Sequence, residues 1–437
     1  MFSWSDIKMH KQIFGFQSLN ASRSSAFNDG VNDGNVLGSK AIEHVNTLEY
    51  FLNHLYVIRS GYKQSKDERS TFMSQFELHH RLVQLSESLS LVRSIALFIF
   101  NDDTISILLG DPLFKFPGRK VCYILVIILS LAMGLFREYA LHLESRGNLT
   151  FLSKFEQMKK PNFDKRSLKM TRIQFNKFRL VFLMIGSFFS LFMKISLPFI
   201  IAFSVGVRLN NESYWSTPSI ILTSMFWIGF EVHAFYFAAC GVIVVAVHII
   251  MVFPIYYYQM LSLVELLQKF TVKEESVTHE VLRGLSLNTI RFMNEFDHLN
   301  NQLKHLTAYV FVIFSFMGDY IIFSATVLSE SSTILSTLML FFGFSDLMVI
   351  GLTTFVLGGF ITKLEVVYTL YLRLMIKSKT KLTQRFKPFE ILSRIKGPYN
   401  GFQIGDLLTA DKAIFVYYLL ENMSIVMLLL VNIGPLE

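Results

Sequence analysis

Charge is what this chain has too little of. Asp, Glu, Lys and Arg make up 17% of its 437 residues, where an ordinary soluble chain carries about a quarter. So few polar side chains cannot cover a globule of this size, which excludes a water-soluble domain and makes lipid the natural solvent. Cysteine is nearly absent. Cys122 and Cys240 both sit inside apolar runs, which argues against a disulfide scaffold and for thiols used as packing. The opening MFSWSDIKMHKQ has no apolar core, so no cleavable leader is expected and internal helices are expected to drive insertion. G-x-S-x-G, a Walker-type Gly-Lys loop and H-E-x-x-H are all missing. The hydrolase, nucleotide-phosphate and zinc-protease signatures go with them, and neither enzyme activity nor a cofactor or metal is expected. His279, His298 and His305 are spread along an amphipathic pattern that a solvated or packed face explains better than a metal. There is no internal repeat.

What is present is apolar. Hydrophobic residues make up 52% of the chain and mean hydropathy is +0.43. The net charge of +8 lies mostly in loops beside apolar runs, which speaks for membrane orientation and against nucleic acid. A helix needs about 20 apolar residues to cross the hydrocarbon layer. Residues 121–140, 180–207, 306–328, 334–357 and 411–431 satisfy that, and 220–267 exceeds it. The long run is either a tight hairpin near residues 231–236 or one helix extending beyond the bilayer. Charge favours the second. The stretches 142–178 and 373–410 are both strongly basic and belong on the cytoplasmic side; one long helix gives them the same side, whereas a hairpin separates them. A seventh span must then come from the weak region 91–114. This predicts an all-α, polytopic, seven-span protein, N-terminus inside and C-terminus outside.

Residues 1–118 are expected to be a cytoplasmic N-terminal region. Its Ser-, Asn-, Asp- and Gly-rich stretch 22–40 reads as disordered. Residues 41–59 and 71–100 read as amphipathic surface helices. Helical patterning in 263–305 and 360–376 predicts extensions beyond the bilayer that pack on one another. The sequon Asn211-Glu-Ser213 falls on the outer side and is a candidate glycosylation site. Asn148-Leu-Thr150 falls on the inner side, where it stays unmodified.

Several features together resemble the insect gustatory and odorant receptor superfamily, including its nematode gustatory-receptor-like members. They are the long N-terminal region, the basic loop LSKFEQMKKPNFDKRSLKMTRIQFNKFR, the overlong fourth helix ending YYYQMLSLVELLQKF, and the polar lead LLTADKAIF into the last helix. The likeness runs over residues 80–437. The family's last helix carries Thr-Tyr, five apolar residues, then Gln-Phe or Gln-Leu. Here those positions hold Ser424-Ile425, the apolar block 426–430 and Val431-Asn432, so the hydroxyl and the apolar block match while the rest departs. The resemblance implies a tetrameric, ligand-gated, non-selective cation channel of the plasma membrane, a homo- or heterotetramer opened by a small-molecule stimulus. Residues 119–434 would form the channel and 411–434 its pore helix. Ile425, Leu428, Leu429 and Asn432 share a helical face and are the candidate constriction. Glu421 is placed to attract cations.

Polar groups inside membrane helices are costly and mark cavities or partners. Glu231 and His233, with Trp227 and Tyr236, are candidate ligand-pocket residues, as are Asp319 and Tyr320. A buried structural pair is the plainer reading of each. Asp346 poses the same choice, and Lys194 is a candidate partner for one of the acids. Two other classes are in play: a seven-span G-protein-coupled chemoreceptor, and a non-conducting receptor-like membrane protein. The first lacks an Asp/Glu-Arg-Tyr after a third span and an Asn-Pro-x-x-Tyr in the last. A transporter would show paired halves, and none are visible. The stimulus is open among sugars, bitter compounds, other small molecules and light.

Overall fold

The computed structural model describes residues 32–59, 61–62, 69–100, 102–114, 119–159, 165, 167–209, 214–215, 217–272, 278–327, 333–378, 386–397, 400–406 and 408–431. The elements are α1 (Asn32–His54), α2 (Arg69–Ile99), α3 (Asp103–Leu108), α4 (Arg119–Ser145), α5 (Leu152–Lys159), α6 (Arg172–Leu209), α7 (Pro218–Val272), α8 (His279–Val327), α9 (Thr333–Lys377), α10 (Phe386–Lys396), β1 (Gln403–Ile404), β2 (Leu408–Thr409) and α11 (Lys412–Val431). Among the described residues seven helices are long and apolar enough to cross a membrane: α2, α4, α6, α7, α8, α9 and α11. The protein is an all-helical membrane bundle with one two-stranded ribbon.

The long apolar run is a single helix. α7 has 55 residues, about 82 Å at 1.5 Å per residue, against a hydrocarbon core of about 30 Å. α8 and α9, with 49 and 45 residues, also outrun the bilayer. Their surplus turns pack on one another around rings at 3- and 4-residue spacing. Phe296 stacks on Phe360 with centroids 4.6 Å apart, and Phe402 sits 5.0 Å from Phe296 and 4.9 Å from Phe360. Phe402 leads into the ribbon, where Gln403 pairs with Thr409 and Ile404 with Leu408. Asn300 holds this ribbon to α8: its Nδ2 donates to Gly401 O at 3.0 Å and its Oδ1 accepts from Gln403 N at 2.9 Å. Lys304 donates to Asp406 at 2.5 Å, and that hydrogen bond keeps the Asp406 carboxyl below its usual range. The ribbon delivers the chain to α11. Asp411 caps it by accepting from Ile414 N at 2.8 Å.

Both basic stretches meet one segment of α8. Lys154, ahead of α6, lies 3.4 Å from Glu295 and Lys169 pairs with the same carboxylate; Arg394 of α10 lies 2.7 Å from Asp297. They therefore share one end of the bundle, the ribbon end.

Three expectations are corrected. The weak span is α2, crossing with Phe76–Ile99, and not residues 91–114. That region holds only the last turns of α2, the short α3 and a turn, because Asp102 caps a new helix directly after Ile99. Residues 71–100, expected on the membrane surface, are accordingly a span. Residues 32–40, expected to be disordered, are helical in α1. Their helix is fixed further along by Ala41, Val45, Leu48, Leu52 and Leu55, a stripe at 3- and 4-residue spacing with no more than 2% exposure, laid against α6 and α7. Beyond α1, Tyr62 is buried and its hydroxyl lies 2.7 Å from His248 Nε2. His248 Nδ1 lies 2.7 Å from Val244 O, so Nδ1 carries the proton and Nε2 accepts from Tyr62. Burial raises the Tyr62 phenol well above its ordinary value. Asn211 and Asn432 fall outside the described residues.

Candidate functional site

At the end of the bundle away from the ribbon, the chain between α2 and α4 folds inward. Asp102 caps α3 by accepting from Thr104 N at 2.7 Å, and backbone and side-chain hydrogen bonds from Thr104 hold its carboxyl below the usual range. α3 stops at Gly110, whose φ of +60° suits glycine. A Cβ there would come within 3.0 Å of the Trp227 ring. This turn aims the carbonyls of Leu109 and Gly110 into the bundle, where two buried arginines take them.

Arg93 of α2 donates Nε to Leu109 O and Nη2 to Gly110 O, both at 2.6 Å. Arg208 of α6 donates Nη2 to Gly110 O at 2.7 Å and Nη1 to Ser204 O at 2.9 Å. Glu231 of α7 bridges them: its Oε1 accepts from Arg93 Nη1 and, at 2.8 Å, from Arg208 Nη2. The Trp227 ring lies over the Arg93 guanidinium at 4.7 Å. Beside this triad, Asp111 pairs with Arg119 at 2.6 Å, accepts from Tyr123, and through its carbonyl accepts from Tyr214 at 2.6 Å. Burial first, then Asp111, raises the Tyr214 phenol above its ordinary value. A buried charge persists only when paired and hydrogen-bonded, and every charge in this layer has partners from two or more elements.

The layer roofs a partly open cavity of about 230 Å³ lined by α2, α4, α6, α7, α8 and α9. Its walls are mostly apolar, with Phe199, Phe203, Phe235, Phe342 and Tyr320 supplying rings. Polar groups are few: Glu231 and Arg93 at the roof, Glu87 on α2, and scattered serine hydroxyls. Glu87 is held from behind by Arg137 of α4 in a two-point pair at 2.7 and 2.8 Å. An apolar space with a few convergent polar groups is what a small-molecule site requires.

Of the residues singled out from sequence, Glu231 and Tyr320 line this cavity. Trp227 does not; its Nε1 donates to Leu108 O at 3.0 Å on the far side of the roof. His233 lies 2.9 Å from Ser86 Oγ and 4.7 Å from the Phe237 ring, tying α7 to α2, and Tyr236 packs edge-on against that ring. Asp319 lies elsewhere, buried on α8 and not part of the cavity lining. Lys194 is exposed on α6, and Glu231 takes the two arginines instead. Arg93, Arg208 and Glu87 were not anticipated. Their signal was charge inside or at the edge of an apolar segment.

The second feature is α11. Tyr418, Asn422 and Val426, one turn apart, are its buried positions, set against α8 and α9. Glu421, Ile425 and Leu428 are on the open side, Leu428 with 64% exposure. Leu429 turns partly inward onto the small cluster of Cys122, Leu125 and Phe323.

The sequence matches no family model and no curated protein. The fold does match a solved structure. The insect olfactory receptor OR5 from Machilis hrabei, in complex with eugenol, superposes with a TM-score of 0.62 at 10% identity, covering 89% of this chain and 97% of that one.

Proposed function

We propose that this chain is a divergent member of the insect gustatory and odorant receptor superfamily and serves as a chemosensory, ligand-gated, non-selective cation channel subunit. The observation that carries the reading is α11. An apolar helix of 20 residues buries only one narrow stripe against its own bundle and leaves the rest of its circumference open. Lipid can cover such a face, but so can the same helix of symmetry-related copies, and in the olfactory-receptor fold the second arrangement makes a central pore. Ile425 and Leu428 then form an apolar constriction that gates by dewetting, with Glu421 attracting cations on the same face. Leu429 supports this helix from behind.

The cavity supplies the stimulus site, and the protein with the matching fold was solved with a small aromatic ligand, eugenol. Orientation follows from charge: the ribbon end gathers both basic stretches and is the cytoplasmic end. An odd number of crossings then puts the end of α11 outside, and the tetramer sits in the plasma membrane. Whole-cell recording tests this. A stimulus-evoked cation current whose conductance or rectification changes in Leu428→Ala, at equal surface delivery, is expected. Evoked currents identical in wild type and Leu428→Ala would remove α11 from the pore.

A further inference from the structure

The cavity's polar ends share one design. Glu231 shows 19% of its side chain while Arg93 and Arg208 show 4% and 0%. Glu87 shows 16% while Arg137 shows 4%. In both places the carboxylate is the more open partner; Arg208 and Arg137 stand behind, and of the arginines Arg93 alone reaches the lining. The guanidinium groups of Arg93 and Arg208 are turned to Leu109 O, Gly110 O, Ser204 O and Glu231 itself. What the lining offers an occupant at these two ends is carboxylate lone pairs.

Charge then narrows the occupant. Glu87 with Arg137 is balanced. Glu231 between two arginines is over-balanced, so the roof carries an excess positive charge in apolar surroundings. An ammonium group would lose its hydration there and meet no unpaired countercharge. A carboxylate would find a favourable field at the roof but would meet the Glu231 and Glu87 oxygens, acceptors against acceptors, at both polar ends. A neutral hydroxyl avoids both costs. It donates a charge-assisted hydrogen bond to a carboxylate and brings no charge with it. The remaining wall, ringed by Phe199, Phe203, Phe235, Phe342 and Tyr320, suits an apolar or aromatic body.

The geometry points to an uncharged alcohol or phenol, with an apolar body of roughly ten heavy atoms, as the ligand class of this cavity, its hydroxyl donating to Glu231. The assignment rests on the cavity being the stimulus site. A site built to accept from a hydroxyl rejects the analogue that lacks it far more strongly than a greasy pocket rejects a missing methylene.

The test uses the full chain in lipid nanodiscs and a size-matched series on one alkylphenyl body: the alcohol, its methyl ether, the primary amine as its ammonium and the carboxylate. Binding is read by thermal stabilisation and by quenching of tyrosine and tryptophan fluorescence. The alcohol is expected to bind at least tenfold more tightly than the other three, and Glu231→Gln is expected to erode that preference while leaving the ether unchanged. Should Glu231→Gln fail to fold, Glu87→Gln and the ligand series on the native chain still decide. Equal binding of alcohol and ether, or a preference for ammonium or carboxylate, overturns the ligand class while the site stands. Binding by no member, or binding that survives the cavity-filling Ala238→Phe, overturns the site reading and the ligand class with it.

Discussion

Arg208 has no exposed surface, yet it carries a full charge at the end of an apolar helix. It is stable there because Glu231 and the carbonyls of Ser204 and Gly110 replace its hydration. Removing one partner of such a group costs far more than the pair contributes. Arg208→Met is therefore expected to destabilise the protein by about 2–4 kcal/mol, because Ser204 O loses its Arg208 donor while Gly110 O and Glu231 are left with Arg93 alone. Thermal unfolding in detergent measures this. Glu231→Leu should cost more than Arg208→Met, since it leaves Arg93 and Arg208 in the same dry layer with no carboxylate between them. At this scale the sequence was half legible. Glu231 stood out because an acid inside a 55-residue apolar helix needs a reason. Arg93 and Arg208 did not stand out, because each lies near a segment boundary, where a basic residue is ordinarily a snorkelling or orienting group. Trp227, His233 and Tyr236 share α7 with Glu231 but not its direction. Which face of a helix that is apolar all round looks into a cavity is decided by its neighbours, and spacing alone cannot say.

The last membrane helix is set by a close contact rather than by a deep interface. Gly358 of α9 faces the start of α11, where a Cβ would come within 2.6 Å of Lys412 N and 2.7 Å of the Asp411 carbonyl carbon. Those are backbone atoms pinned by the ribbon, so they cannot yield as a side chain would. Gly358→Leu is expected to displace the N-terminal turn of α11, abolishing evoked current while α1 to α8 still fold. Surface biotinylation alongside recording separates that outcome from misfolding. Elements differed in how plainly they could be read. The overlong α7 was legible because no break interrupts its apolar run and because the two basic stretches needed matching sides. α2 was not, since its crossing segment mixes apolar residues with Glu87, Arg93 and several serines. Those polar residues are satisfied across helix interfaces, as Glu87 is by Arg137, and no hydropathy window can count a partner that lies 50 residues away. The ribbon, two residues per strand, is too short to carry an alternating pattern; it exists because Asn300 and Phe402 hold its ends.

For the whole molecule, the orientation proposed above is one that a single glycan can check. With the ribbon end in the cytoplasm, Asn211-Glu-Ser213, between α6 and α7, falls on the lumenal side. Asn211→Gln is expected to remove an endoglycosidase-sensitive mobility shift, while Asn148→Gln changes nothing. A shift that depends on Asn148 would invert the bundle. The seven-helix bundle was the most readable level of this chain because it rests on a total, apolar length, that survives local misreadings. The same whole-molecule view gives α7 a mechanical meaning. Glu231, at the cavity, and Tyr256, in the aromatic packing beyond the bilayer, are about 37 Å apart along one rod. A tilt of about 5° imposed at the first moves the second by about 3 Å. Pro254 lies just before Tyr256 inside the same unbroken helix, where its missing N–H removes one hydrogen bond from the ladder. On the function proposed above, a ligand that tilts the roof displaces this far end of α7, which packs on Phe292 and Phe296 of α8 beside the lead into the ribbon.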